Sequence, residues 1–155
     1  MSDAFFDLKS ARGMLEKAKR ERAKLTADLN IDNIFNFFVT AYHVRDDLMQ
    51  AHGIPKLIVD AFVKNHPDLD MCHFICNKGK HLTLDPWKNE PDRNKSASVS
   101  RVPGAAFNAS AFNATTFNAG SVLTFFVDGK KVDILSLAHR VLQEWEAFFV
   151  RHNVA

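Results

Sequence analysis

The sequence has no long apolar run and few cysteines. No stretch approaches the roughly 20 consecutive apolar residues of a membrane-spanning helix, so we expect no membrane segment. Two cysteines occur among the 155 residues, and no secretory signal precedes them. This predicts reduced thiols and a cytoplasmic protein. The net charge of +2 is too small to indicate nucleic-acid binding by itself.

Several common catalytic motifs are also missing. The chain has no Gly-rich phosphate loop, no Gly-x-Ser-x-Gly elbow and no His-Glu-x-x-His pair, so the enzyme classes that use them have no support. Cys72, His73, Cys76 and His81 lie close together and are residue types that bind zinc. The spacing Cys-x-x-Cys is absent, however, and a reduced cysteine usually behaves as a small buried apolar residue. We therefore expect no metal and no cofactor.

Phenylalanine is over-used, with 14 residues against one tyrosine and two tryptophans. Many of these rings must be buried, in the core or across a subunit interface. A chain of this length favours one domain over residues 1–155. The Phe content, together with Arg45 and His52 on the apolar side of the second predicted helix, leads us to expect a homodimer.

Capping residues and apolar periodicity predict a mainly α fold, a bundle of four to five helices with a late β-hairpin before the last helix. The predicted helices run from Ser2 or Asp3 to about Leu29, from Asn30 or Asp32 to about Gly53, from Pro55 to Asn65, from Leu69 (capped by Asp68) to Lys78, and from Ile134 (capped by Asp133) to about His152. Asp128-Gly129 predicts the hairpin turn, because this dipeptide readily adopts positive φ angles.

The segment between the fourth helix and the hairpin is irregular. Three prolines and a Ser-rich run predict a flexible loop over 85–104. Phe-Asn-Ala then recurs at a period of five, starting at Phe107, Phe112 and Phe117. We expect a loop anchored to the core by these rings, and a pentapeptide-repeat solenoid is the alternative.

The second predicted helix carries charge on its apolar side. Phe38, Tyr42 and Leu48 share a sector of the helical wheel with Arg45 and His52. A charge on a face that should be buried costs free energy unless it is compensated. Either a packed partner supplies counter-groups, or Arg45 and His52 face a working site.

The spacing Arg45-x6-His52 resembles the Arg-x(4–6)-His signature of the HEPN superfamily of small helical nucleotide-binding domains. In this resemblance Arg45 and His52 are the motif residues, and Asp46 is the polar residue that often follows the arginine. The resemblance implies a helical, often dimeric RNA-binding protein or metal-independent ribonuclease of a bacterial defence or toxin–antitoxin system.

The chemistry that the resemblance implies is physically sensible. Histidine can move the proton of a 2′-hydroxyl, and arginine can stabilise the charge that grows on a phosphate. Residues seven apart on one helix are separated by a rise of about 10.5 Å, so Arg45 and His52 of one chain are too far apart to hydrogen-bond each other directly. Across a two-fold interface, the two arginines and two histidines of a dimer could converge. The alternative is a non-catalytic interaction or adaptor module with a protein partner, in which Arg45 is a structural ion pair.

A second basic cluster closes the fourth predicted helix. Lys78 and Lys80 could contact phosphate, with His81 as a further acid or base. Basic groups are also favoured near a helix C-terminus by the helix dipole, without any ligand. The arrangement of His43, Asp46 and Asn77 with this cluster resembles small uncharacterised bacterial proteins. That resemblance does not indicate any particular activity.

Overall fold

The computed structural model describes residues 10–80, 97–102 and 122–155. Their elements follow the chain in the order α1 (Ala11–Ala27), α2 (Ile31–Gln50), α3 (Lys56–Asn65), α4 (Pro67–Lys80), β1 (Ala97–Val102), β2 (Val122–Val127), β3 (Lys130–Val132) and α5 (Ile134–Arg151). The predicted fold class, mainly helical with a β-hairpin before the last helix, is confirmed.

Helix α2 is the centre of the bundle, because it contacts each of the other four helices in the described ranges. Its buried side includes Phe37, Phe38 and Val44, all with no exposed surface. The last helix has a broad buried apolar face that includes Val141, Trp145 and Phe148. Phe rings are the largest part of this core, which explains much of the high Phe content.

Helix starts follow local capping signals, and one differs from the prediction. Helix α1 begins at Ala11, because Ser10 is extended and its side chain accepts a hydrogen bond from the Gly13 amide at 3.0 Å; the predicted caps Ser2 and Asp3 lie outside the described residues. Helix α4 begins at Pro67, not after Asp68. Proline lacks the N–H that would be unsatisfied there, so it fits the first helical position. The caps at Asn30 and Asp133 are confirmed.

The three strands form an antiparallel sheet in the order β1-β2-β3. The predicted hairpin is β2 and β3, joined by Asp128 and Gly129 at φ angles of 48° and 74°. Strand β1 pairs with β2 from Ala97 opposite Val127 to Val102 opposite Val122. The loop predicted over 85–104 is therefore wrong for residues 97–102. The Phe-Asn-Ala repeats lie outside the described residues.

Candidate functional site

The structure places Arg45 among carboxylates on the surface between α2 and α3. Its Nε and Nη2 donate to the same Oδ1 of Asp60, at 2.8 Å and 2.6 Å, and its Nη1 donates to Oδ1 of Asp46 at 2.8 Å. Only 16% of the Arg45 side chain is exposed. Three donors of the guanidinium group are therefore directed at two carboxylates of the same chain, and the charge on the apolar side of α2 is compensated.

A tight turn between the two helices positions Asp60. Helix α2 ends before Gly53, whose φ of 63° is costly for residues other than glycine. The Ile54 amide then donates back to the Leu48 carbonyl at 3.2 Å, which closes the end of the helix. Pro55 follows, and α3 returns alongside α2 with Asp60 in its second turn. The sequence Gly-Ile-Pro thus sets the geometry that brings Asp60 to Arg45.

Burial and pairing act in opposite directions on Arg45. Burial lowers the pKa of the guanidinium group, but hydrogen bonds to Asp60 and the nearby negative charges outweigh it and raise the pKa above its ordinary value. A phosphate that approached Arg45 would have to compete with Asp60 for these donors, since a charge-assisted hydrogen bond is stronger than a neutral one.

His52 has a different partner. It is exposed in the turn after α2, and its Nε2 accepts a long hydrogen bond of 3.4 Å from the Ala11 amide, at the start of α1. This contact satisfies one of the amides that a helix N-terminus leaves unpaired. In the described part of the chain, Arg45 and His52 share no hydrogen-bond partner, so one protomer does not bring these two predicted residues together.

Helix α4 contributes a polar cluster beside Arg45 that the sequence analysis did not anticipate. The Tyr42 ring stacks on His73 with centroids 4.6 Å apart and planes at 6°, and the Asn77 amide nitrogen donates to His73 Nε2 at 2.7 Å. Arg45 Cζ lies 5.7 Å from the centroid of the same Tyr42 ring. Burial raises the pKa of Tyr42 to about 12, so its hydroxyl stays protonated at neutral pH.

A helical-wheel signal for this cluster existed. Tyr42 and Arg45 are three residues apart in α2, and His73 and Asn77 are four apart in α4, so each pair shares a helix face. What sequence alone lacked was the pairing of those two faces, which depends on how α2 packs on α4.

The predicted nucleic-acid contacts are placed only in part. Lys78 is half-buried in the last turn of α4. Lys80 is the last residue of that helix, and His81 lies outside the described residues. Of this predicted cluster, only the Lys78 side chain lies among the described residues.

The two cysteines are packed inside the bundle. Cys72 and Cys76 are free and buried, and the Cys72 thiol donates to the Phe38 carbonyl at 3.6 Å. Burial raises the pKa of Cys72 well above its ordinary value, which disfavours the thiolate that metal binding requires. No group of three or more His, Cys, Asp or Glu residues within 10–80, 97–102 and 122–155 is arranged to hold a metal ion.

Three basic side chains of α1 are ion-paired, namely Arg12, Lys19 and Lys24. Lys19 Nζ lies 2.7 Å from Glu16 and 2.6 Å from Glu146, and Arg12 donates to Glu146 at 2.9 Å. Lys24 pairs with Glu21 at 3.0 Å. Carboxylates of the same protomer therefore balance the charge of these three side chains.

Comparisons with family models, curated proteins and solved structures found no match for this chain. Among the helices described, none combines the length and the apolar character that crossing a membrane would require. The site must therefore be interpreted from its own contacts.

Proposed function

We propose that this protein is a non-catalytic helical adaptor that binds a protein partner, with Arg45 as a structural ion pair. The observation that carries the proposal is the use of Arg45 Nε, Nη1 and Nη2 by Asp60 and Asp46. An arginine that directs three of its roughly five N–H donors at carboxylates of its own protomer stabilises the bundle, and a phosphate would have to compete with those carboxylates.

The separation of Arg45 from His52 supports the same conclusion. Cleavage of RNA by these groups needs both at one phosphodiester, the histidine for the proton and the arginine for the charge. Here Arg45 is held against α3 and His52 contacts the start of α1. The buried free thiols Cys72 and Cys76 support the cytoplasm as the location of the adaptor.

The test measures thermal stability and RNA cleavage on the same variants. Arg45→Ala should lower the melting temperature clearly, and the wild-type protein should not cleave single-stranded or structured RNA above background. Arg140→Ala is a matched control, since Arg140 donates to Asp68 at 3.0 Å but is 49% exposed. It should change the melting temperature much less, because exposed ion pairs contribute little.

A contradictory result is equally clear. The wild-type protein could instead cleave RNA, and both Arg45→Ala and His52→Ala could abolish this cleavage without changing the melting temperature. That result would overturn the adaptor proposal and support a nuclease.

The second candidate is the HEPN-like RNA-binding protein or ribonuclease, with the defence or toxin–antitoxin role that the resemblance implies. The observation that favours it is the contact chain from Arg45 through the Tyr42 ring to His73, which links the motif arginine to the helix that carries Lys78 and Lys80. In this proposal RNA displaces Asp60, and His52 comes from a second protomer. RNA affinity should then rise in Asp60→Asn and fall in Lys78→Ala, measured by fluorescence anisotropy.

A further inference from the structure

Helix α3 exposes apolar side chains on the side opposite its buried residues. Val59, Phe62 and Val63 belong to the core, whereas Leu57 is 81% exposed and Ile58 is 43% exposed. The exposed residues of the helix, here called the α3 surface, are Lys56, Leu57, Ile58, Ala61, Lys64 and Asn65. Exposed apolar side chains that are neighbours on one element mark an interaction surface more often than scattered ones do.

The α3 surface has a small residue among larger ones. Leu57 lies four residues before Ala61, Ile58 three before it and Lys64 three after it, so these side chains border Ala61 on one helix face. A position bordered in this way accepts a large side chain from a facing helix. The α3 surface therefore suits a helix that packs alongside α3 and presents apolar residues at i, i+3 and i+7.

Positive charge predominates on the α3 surface. Asp60 is the single acidic residue of α3, and its carboxylate accepts hydrogen bonds from Arg45 on α2. Lys56 approaches the other oxygen of Asp60 at 3.8 Å but stays 73% exposed. Lys64 takes part in none of the ion pairs found in the described ranges. The contact that supports the adaptor proposal thus leaves two lysines beside the exposed apolar side chains.

Two acidic side chains near the end of α3 also have partners. Asp68, at the start of α4, accepts a hydrogen bond from Arg140 at 3.0 Å, and Glu144 of α5 lies 3.4 Å from Nε2 of His66. Both carboxylates are therefore already engaged in their own chain. Electrostatic complementarity for the two lysines of the α3 surface favours a partner that brings carboxylates of its own.

We propose that the α3 surface docks an acidic amphipathic helix of a protein partner. Leucine-like side chains of that helix pack over Ala61, beside Leu57 and Ile58. Two carboxylates about two turns apart meet Lys56 and Lys64, which are separated by a rise of about 12 Å along α3. The inference rests on the adaptor proposal and names the chemistry of the adaptor's partner.

A protein helix suits the α3 surface better than a membrane or a nucleic acid does. Two lysines and two large apolar side chains give only marginal binding to an anionic bilayer, since stable anchoring needs a longer apolar face or a larger basic cluster. A polynucleotide would bind through its phosphates to the lysines and would leave Leu57 in water. A helix with both carboxylates and apolar side chains uses both parts of the surface.

The test measures binding of two labelled, Ala-rich helical peptides to the full chain by fluorescence anisotropy. The acidic peptide has leucines at i, i+3 and i+7 and two glutamates about two turns apart on one flank. The basic peptide has lysines in place of the glutamates. The protein should bind the acidic peptide at least about tenfold more tightly than the basic one, because like charges across an interface are unfavourable.

Charge reversal on the protein should reverse this preference. The double variant Lys56→Glu/Lys64→Glu should bind the basic peptide more tightly than the acidic one. Lys64→Glu alone, which leaves the contacts of Asp60 in place, should weaken binding of the acidic peptide several-fold, and Lys130→Glu on β3 should not change it. A wild type without preference, or a preference that the double variant keeps, would overturn the proposal.

A second pair of variants tests the apolar contact. Leu57→Ser should weaken binding of the acidic peptide at least about tenfold, since the complex buries this side chain. The matched control is Val150→Ser on α5, whose side chain is 77% exposed but lies outside the α3 surface. It should leave the affinity unchanged. Equal losses in the two variants would contradict docking at α3.

Failure of this inference is distinguishable from failure of the adaptor proposal. A wild type that binds neither peptide with a Kd below about 1 mM and cleaves no RNA ends docking at α3 and leaves the adaptor standing. Binding to phosphatidylcholine–phosphatidylserine vesicles that Leu57→Ser abolishes, without binding of the acidic peptide, would replace the partner helix by a membrane surface. RNA cleavage through Arg45, with the peptide preference intact, would support docking and overturn the adaptor.

Discussion

Arg45 holds a single carboxylate oxygen of Asp60 with two of its nitrogens, Nε at 2.8 Å and Nη2 at 2.6 Å. The two residues are fifteen positions apart and belong to successive helices. Lys56, one turn before Asp60, approaches the other oxygen at 3.8 Å. The carboxylate on α3 thus links this helix to α2, which contacts each of the other described helices.

Removing this link should destabilise the protein measurably. Arg45→Ala leaves the partly buried Asp60 and Asp46 without their main partner, and hydrogen bonds to charged groups are worth about 1.5–3 kcal/mol each when they are lost. We expect a decrease of about 1–3 kcal/mol in the free energy of unfolding, measured by urea denaturation. Arg45→Lys should recover only part of it, because an ammonium group cannot reproduce the two-nitrogen contact.

Asp60→Asn is the complementary variant. It keeps the shape of the side chain but removes its charge, so the decrease in the free energy of unfolding should be smaller than for Arg45→Ala. Equal stability of Arg45→Ala and wild type would show that this ion pair does not hold the bundle together.

Glu146 should make stability depend on pH in the acidic range. Hydrogen bonds from Lys19, and then from Arg12, hold the pKa of Glu146 below its ordinary value of 4.5. A carboxyl whose folded pKa is depressed contributes stability above its unfolded pKa, and this stability is lost as the pH falls through the folded pKa. Glu146→Gln should therefore be less stable than wild type at pH 7, by about 0.5–1 kcal/mol.

The difference between Glu146→Gln and wild type should shrink below pH 4.5, the ordinary pKa of the carboxyl, and in high salt, which screens partly exposed charges. Thermal melts at several pH values measure this difference. A difference that stays constant from neutral pH to well below the folded pKa would mean that packing, and not charge, explains the effect.

Asp133 stabilises the start of α5. Its side chain accepts a hydrogen bond from the Ser136 amide at 3.0 Å, and this backbone bond lowers the pKa of the carboxyl. Asp133→Ala removes the cap and should lower the free energy of unfolding by about 1 kcal/mol. Asp133→Asn should retain most of the stability that the cap contributes, because asparagine is also a good N-cap residue. Urea denaturation of the two variants at pH 7 tests this, and equal losses in both would show that the carboxyl charge matters more than the cap.

Local signals in the sequence predicted the fold well. Asn30 and Asp133 cap helices because the signal lies within three residues of the bond it makes. Strand β1 was missed because its short polar sequence, Ala-Ser-Val-Ser-Arg-Val, has weak strand character. Its pairing partners in β2 are also 20 to 30 positions away in the chain.

The candidate site was predictable only in part, for the same reason. The sequence showed that Arg45 needs a counter-group, since the charge lies in an apolar sector of α2. It did not show that Asp60 supplies it, because that depends on the angle at which Gly53 and Pro55 return the chain. The contact of His52 with Ala11 joins residues 41 positions apart, and no periodic pattern encodes it.

The hairpin turn offers a test that depends on the backbone alone. Asp128 and Gly129 have φ angles of 48° and 74°, and a Cβ added at Gly129 would meet no atom within 4 Å. Gly129→Ala should therefore lose about 1–2 kcal/mol of stability, because of the positive φ and not because of a clash. Asp128→Asn should keep the turn, since asparagine tolerates this conformation.

Gly53→Ala is the matched control for this prediction. Gly53 has a φ of 63°, and an added Cβ there also meets nothing within 4 Å, so the same backbone cost is expected at the end of α2. Urea denaturation should give similar losses for the two alanine variants if the left-handed backbone is the common cause. A large loss of stability in Gly53→Ala with no loss in Gly129→Ala would contradict this common cause. It would show that the connection between β2 and β3 changes to a turn that does not need the positive φ angles.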